Sequence, residues 1–158
     1  MKKTLIAVFL CLFAAIYTTA FAQTKADRII GYYLTYDDKT GDESSQIQIF
    51  KATNGKYYGK IVWLKEPNEN GKPKVDDENP DKALQNKPIL GLQLLKGFIF
   101  EEKSDEWKDG SIYDPESGKT YNCFIKFDGE KDLKIRGFIG KAWMGLGRTA
   151  TWKKSEPK

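Results

Sequence analysis

Between residues 119 and 127 every second side chain is apolar: Tyr121, Cys123, Ile125 and Phe127 fall on one side, Thr120, Asn122 and Lys126 on the other. A spacing of two sorts side chains onto the two faces of a pleated strand, one dry and one wet. The same rhythm recurs past residue 27, interrupted by clusters of Gly, Asn, Asp and Pro, and no convincing helical stripe runs through the chain. Strands are expected over 29–36, 45–52, 56–64, 88–95, 97–102, 111–113, 119–127, 133–139 and 148–153. In 88–95 the spacing of Leu90, Leu92, Leu94 and Leu95 would also suit one helical turn. Asn54-Gly55 predicts a tight hairpin whose two turn residues both take positive φ. Asp109-Gly110 and Asp128-Gly129 read as further turns.

Eight or nine short antiparallel strands in one chain leave sheet edges that must be covered, and closing the sheet on itself removes them. The expected fold is therefore all-β, a single antiparallel β-barrel over residues 23–154, with an open sandwich as the alternative. A barrel of about eight strands has room for packed side chains or one small ligand. Residues 65–87, with Pro67, Pro73 and Pro80, break the rhythm and read as a long loop, the first place to look for a lid or binding edge. The 155–158 tail is expected to be disordered.

The first 22 residues have the pattern of an export signal. Lys2 and Lys3 precede a short apolar run from Leu5 to Ile16, and Ala20-Phe21-Ala22 offers small residues where a signal peptidase reads them. Cleavage after Ala22 would leave Gln23 as the mature terminus, and the run is too short to span a ~30 Å bilayer comfortably, so no stable membrane anchor is expected. Cys11 does not suit lipid attachment, because Leu10 stands where a small residue is needed. The expected location is periplasmic or secreted.

Taking 22 residues from 158 leaves 136, enough for one core. Losing Lys2 and Lys3 leaves 24 Lys and Arg against 22 Asp and Glu, a balance of +2 with the signs interspersed, which argues against nucleic acid as a partner. Cys123 would then have no intramolecular partner, so packing rather than a disulfide must hold the fold. The chain has no histidine, which removes the commonest general base and every Ser-His or Cys-His pair. A monomer without cofactor is expected.

Several constellations could carry chemistry. The mature region is rich in Tyr and Trp, including Tyr32, Tyr33, Tyr57, Tyr58, Trp63, Trp107, Tyr113, Tyr121, Trp143 and Trp152, which suit core packing or a partly apolar ligand. Trp63 and Tyr121 are the chosen interior candidates. Asp77, Asn79 and Asp81 mimic the opening of a calcium loop, but Lys82 and Pro88 stand where that loop needs Gly and Glu, so a solvated acidic loop is the simpler reading and no metal is assigned. Asp76, Asp77 and Asp114 are the candidate carboxylates for histidine-free acid–base work, although Asp114-Pro115 followed by Gly118 reads more simply as a turn. Residues 137–141 resemble a phosphate loop too short and with Ala142 in place of its hydroxyl. Cys123 belongs to the apolar inner face, where a thiol acts as a small hydrophobe. Arg148, at the start of the last strand, could lie across an aromatic of the first strand and cap one barrel end.

The order of Gly31-Tyr32-Tyr33, Gly59-Lys60-Ile61-Val62-Trp63-Leu64, Asn79-Pro80, Pro88-Ile89-Leu90-Gly91-Leu92, Gly110-Ser111-Ile112-Tyr113-Asp114-Pro115, Gly118-Lys119-Thr120-Tyr121, Arg136-Gly137-Phe138-Ile139-Gly140 and Arg148-Thr149-Ala150-Thr151-Trp152 resembles the exported bacterial family catalogued as domain of unknown function 2147. The resemblance runs from about Asp27 to Trp152 and implies a periplasmic or secreted lipocalin-like barrel with no established activity. Calycin barrels, to which the chain is more distantly similar, often carry Gly-x-Trp in the first strand and an Arg near the last that packs on it. Gly31 and Arg148 fit that pattern, with Tyr33 in place of the Trp. The reading is a non-enzymatic barrel that binds a small apolar or amphipathic molecule, with Tyr33, Trp63, Tyr121 and Arg148 lining or closing the cavity and the 65–87 loop over a mouth. The alternatives are a carboxylate hydrolase acting on envelope glycans through Asp76, Asp77 and Asp114, and a protein-interaction module with an exposed apolar patch.

Overall fold

The computed structural model describes residues 24–141 and 145–158; the expected signal, Cys11 and Trp143 lie outside the described residues. A 3-10 turn, Asp27–Ile29, leads into ten strands: β1 Gly31–Tyr36, β2 Glu43–Lys51, β3 Tyr57–Leu64, β4 Asn68–Glu69, β5 Lys72–Pro73, β6 Gln93–Glu101, β7 Glu106–Asp114, β8 Lys119–Asp128, β9 Asp132–Phe138 and β10 Gly147–Ser155. Eight of them close a barrel in the order β1-β10-β9-β8-β7-β6-β3-β2, all antiparallel, while β4 and β5 form a separate small hairpin. Consecutive barrel strands pair with one another through short turns, except β3 and β6, which the 65–92 segment joins, and the β1–β10 pairing removes the last edges. The closed barrel, not the sandwich, is the architecture.

The alternation that marks 119–127 becomes burial. Cys123 and Ile125 pair with Gly137 and Ile135 of β9, and Ala150 and Trp152 of β10 continue that inward row opposite Ile135 and Leu133. Ile47, Ile49, Ile61, Leu95, Phe98 and Trp107 complete a core with almost no exposure. The 52–56 hairpin forms where Asn54-Gly55 predicts it, but the turn differs. Ala52 accepts from the Gly55 amide at 2.9 Å and only Gly55 takes positive φ (77°), a three-residue loop with a glycine bulge rather than a two-residue primed turn.

Two expected breaks prove to lie inside strands. Gly97 does not separate two strands and Asp109-Gly110 does not turn the chain; they face each other within β6 and β7, where Gly97 (φ 78°) and Asp109 (φ 60°) shift the side-chain phase of both strands together. As a result Phe98 and Trp107 point inward on one side of the shift and Leu95 and Ile112 on the other. The 65–92 segment is not a lid. Its backbone is bonded to itself and to β3, with the Gly91 amide donating to Ile61 O and the Ile61 amide to Leu92 O. It covers Leu94 and Tyr113, which by alternation face outward from β6 and β7. The 155–158 tail is not free either. Gln46 donates to Ser155 Oγ at 2.9 Å and Glu156 O at 2.7 Å, and accepts from the Lys158 amide at 3.0 Å.

Candidate functional site

The two ends of the barrel differ. At one end the 3-10 turn crosses beneath the strands, and Ile29, Tyr33 and Trp107 have no exposed surface. Trp107 is the centre of this closure. Its ring meets Tyr57 edge-on at 6.4 Å, Phe127 at 5.7 Å and Phe100 at 4.8 Å, and its indole N–H donates to Ala26 O at 3.2 Å. The Arg28 guanidinium lies 4.6 Å from the Phe127 ring centre and 5.6 Å from that of Trp107 while donating to Asp105 at 2.6 Å, and this bond holds the Asp105 carboxyl below the ordinary range. Asp27 ties the turn to β2 and β3 by accepting from Tyr57 Oη at 2.6 Å and Lys51 Nζ at 2.9 Å. Those bonds, with one from Thr24, lower its carboxyl to about 2.

A carboxyl held below its unfolded range adds stability that is complete above about pH 4 and is lost as pH falls through its folded value. Asp27→Asn is therefore expected to lower the urea midpoint at pH 7, with the gap to the wild type narrowing between pH 4 and pH 2. A gap independent of pH in that window would contradict this assignment.

Tyr33 sits at the same closed end, and a last-strand cation does cross it, but the cation is Lys154 rather than Arg148. Lys154 Nζ lies 4.5 Å from the Tyr33 ring centre and donates to Tyr33 Oη at 3.2 Å and Ile30 O at 3.0 Å; the Tyr33 hydroxyl in turn donates to Ile29 O at 2.9 Å. Burial lowers the Lys154 ammonium and raises the Tyr33 phenol. Gly31 takes φ 146°, which a residue with a side chain rarely adopts, and a Cβ there would also displace the Lys154 ammonium, which accounts locally for a glycine two residues before the aromatic. Arg148 is instead three-quarters exposed at the opposite rim, paired with Asp38 of the β1–β2 loop.

Trp63 also departs from its expected place. Ile47 pairs with Ile61 but Gln46 pairs with Trp63, so Val62 is an extra residue that turns Trp63 to the outer wall. There the Lys158 ammonium lies 3.8 Å from its ring centre. Tyr121 is on the inner face opposite Ile112, half-buried, as expected. Cys123 is inward and 2 % exposed, and burial pushes its thiol up to about 12, so it is packing rather than a nucleophile.

The 76–79 stretch packs against the 114–118 turn, but two of the three candidate carboxylates are taken up in structural hydrogen bonds. Asp76 is 1 % exposed, not solvated, and accepts from Tyr113 Oη at 2.7 Å and Asn79 Nδ2 at 2.6 Å, pinning the long segment to the outer wall. Asp77 is exposed. Asp114 holds its own turn, accepting from the Glu116 amide at 3.1 Å and Ser117 Oγ at 2.6 Å. Among the described residues no group of three or more His, Cys, Asp or Glu is placed to hold a metal ion.

Among the described residues, the inward rows are least covered at the end opposite the 3-10 turn. Leu64, Ile112, Tyr121 and Ala150 continue the inward rows there yet stay half-buried, next to the hydrogen-bonded hydroxyls of Thr35 and Ser45 at 2.7 Å. Gly137 supplies a floor without a side chain: a Cβ there would stand 3.4 Å from Ile112 and 3.7 Å from Tyr121. These side chains make an apolar face, here called the cup, with the Thr35 and Ser45 hydroxyls beside it and the Arg148–Asp38 pair toward the rim. Below it Leu95, Phe98, Ile125 and Ile135 fill the interior, so the barrel is not hollow along its length. Sequence reasoning found Tyr121 through alternation but missed Leu64 and Ala150, whose inward placement depends on the β3 bulge and the β10 register.

The family described as "Uncharacterized protein conserved in bacteria (DUF2147)" matches residues 31–154. Among solved structures, protein HP1028 from the human pathogen Helicobacter pylori, described as belonging to the lipocalin family, is similar at 28 % identity and a TM-score of 0.67, over 80 % of this chain and 82 % of its own. Among curated proteins nothing matches.

Proposed function

Because the chain belongs to this family of uncharacterized bacterial proteins and forms a lipocalin-like barrel, we propose that it is an exported binding protein that takes a small apolar or amphipathic molecule in the cup at its open end. The observation that carries the reading is a difference in burial: at the end crossed by the 3-10 turn Ile29, Tyr33 and Trp107 have no exposed surface, with Phe100 and Phe127 partly exposed beside them, while at the other end Leu64, Ile112, Tyr121 and Ala150 all remain half-buried. An apolar concavity with a few polar groups is the usual form of a small-molecule site. Apolar chain packed on these four side chains would gain roughly 0.8 kcal/mol per buried methylene, and Arg148 at the rim suits an acidic head group. Among the described residues no helix is long and apolar enough to cross a membrane.

Decanoic acid is the probe of choice, titrated calorimetrically. Saturable one-to-one binding to the wild type and its loss in Ala150→Phe, with the thermal midpoint retained, is the expected result; equal heats in both proteins would remove the cup from the account. Export predicts that the protein recovered from the periplasmic or extracellular fraction begins at Gln23, and a protein found only in the cytosol would contradict it.

A further inference from the structure

The paired phase shift in β6 and β7 leaves a mark on the outside of the barrel that the cup does not explain. Barrel walls are convex, yet a groove of about 560 Å³ runs along the outer side of β7, β8 and β9. It opens where two residues of β7, Lys108 and Asp109, span a single residue of β8, Phe124, and where Gly110 offers no side chain. Phe124 and Phe138 form one wall, their rings 6.3 Å apart at 49°. Glu106 and Asp109 form the other.

The phase shift itself has a structural use, since it keeps both halves of β6 and β7 facing the core. That use requires no particular side chain at position 109, where a left-handed conformation would be cheaper for glycine. Asp109 takes φ 60° and holds a carboxylate over the groove. A strained residue at a concave site is where function concentrates. Among the described residues neither the Asp109 nor the Glu106 carboxylate accepts a hydrogen bond or forms an ion pair, and the one ammonium of the groove, Lys108, is engaged by Glu101. Glu106 and Asp109 against Lys108 leave the groove lining with a net charge of −1 on a chain whose total is +4, and Glu101 beside it takes up the Lys108 ammonium. Arg136, across from Phe124, is turned away to Gly147 O and Thr149 Oγ1 at 3.0 and 3.1 Å.

We propose that this groove is a second binding site, for an organic cation: an ammonium group carried on an apolar or aromatic body. Two free carboxylates beside two phenyl rings match such a ligand in both charge and shape, because an ammonium is attracted to carboxylates and to ring faces alike. The site is independent of the cup, which lies on the inner face of the sheet.

Benzyltrimethylammonium is the probe, followed by NMR on the isotope-labelled full chain. Saturable shifts at Asn122, Phe124 and Phe138 are expected, with affinity weakened about fivefold or more in the Glu106→Gln, Asp109→Asn double variant, the size set by two exposed charge contacts. Ala150→Phe, which fills the cup, is expected to leave this binding unchanged. Shifts of the same size with neutral benzyl alcohol or with maltose, or an unweakened double variant with an unchanged thermal midpoint, would overturn the proposal. A double variant that fails to fold is replaced by Phe124→Leu, which is expected to weaken binding while leaving both carboxylates in place; undiminished binding there would equally overturn it.

Discussion

Replacing Trp107 by alanine is expected to cost about 3–5 kcal/mol of stability, the range for deleting a fully buried large aromatic. Trp107 joins several parts of the closed end: its ring touches Tyr57, Phe100 and Phe127, carries Arg28 on one side, and its N–H holds Ala26 O at the head of the 3-10 turn. Trp107→Phe keeps most of the packing and loses that hydrogen bond, so about 1 kcal/mol is expected from the bond, with a further share from the smaller ring. Urea unfolding checks both, and amide exchange over 27–30 should rise in the alanine variant before global unfolding. A loss below about 1 kcal/mol for Trp107→Ala would mean that the closed end is not what the burial pattern says it is.

Gly110→Ala is the second large effect. The added Cβ would stand 2.5 Å from the Phe98 ring, and Phe98 is 1 % exposed, so the ring has no solvent-facing space to retreat into. Overpacking of this kind costs about 1–3 kcal/mol and here should lie at the upper end. Gly137→Ala is the internal control. Its Cβ would meet Ile112 at 3.4 Å, an ordinary contact, so it should be close to neutral in unfolding experiments. Combining Gly110→Ala with Phe98→Leu should recover part of the loss, because the clash is between those two positions. Equal effects of the two glycine substitutions would contradict the geometry.

Much of the barrel is legible in the alternation itself. The 119–127 and 133–139 segments become β8 and β9 with their inward rows intact, because a half-buried strand must place one face in the core. Where the reading fails, the cause is a residue that shifts phase. Gly97 and Asp109-Gly110 carry the local chemistry of turns, and only their juxtaposition across two paired strands makes them a shift within both. Trp63 goes outward because Val62 is an extra residue against β2, and extra residues are counted only once the pairing is known.

The cation on the first-strand aromatic shows the same limit. Arg148 and Lys154 share a face of β10 by parity, and the choice between them rests on Tyr33 lying opposite residue 154. Asp76 lies in the densest acidic run of the chain, which suggests solvation, yet a tyrosine 37 residues away buries it. The closed end was invisible for a different reason. Three residues of 3-10 turn carry no periodicity, and Arg28 reaches Asp105 across 77 positions of sequence.

The most direct test of the account is a methyl NMR titration of the wild-type protein with decanoic acid. Shifts confined to Leu64, Ile112 and Ala150, with Ile125, Leu133 and Ile135 unmoved, are the predicted outcome. No saturable change at those three side chains, or changes at the deep core or the closed end instead, would contradict a binding cup at the open mouth of the barrel.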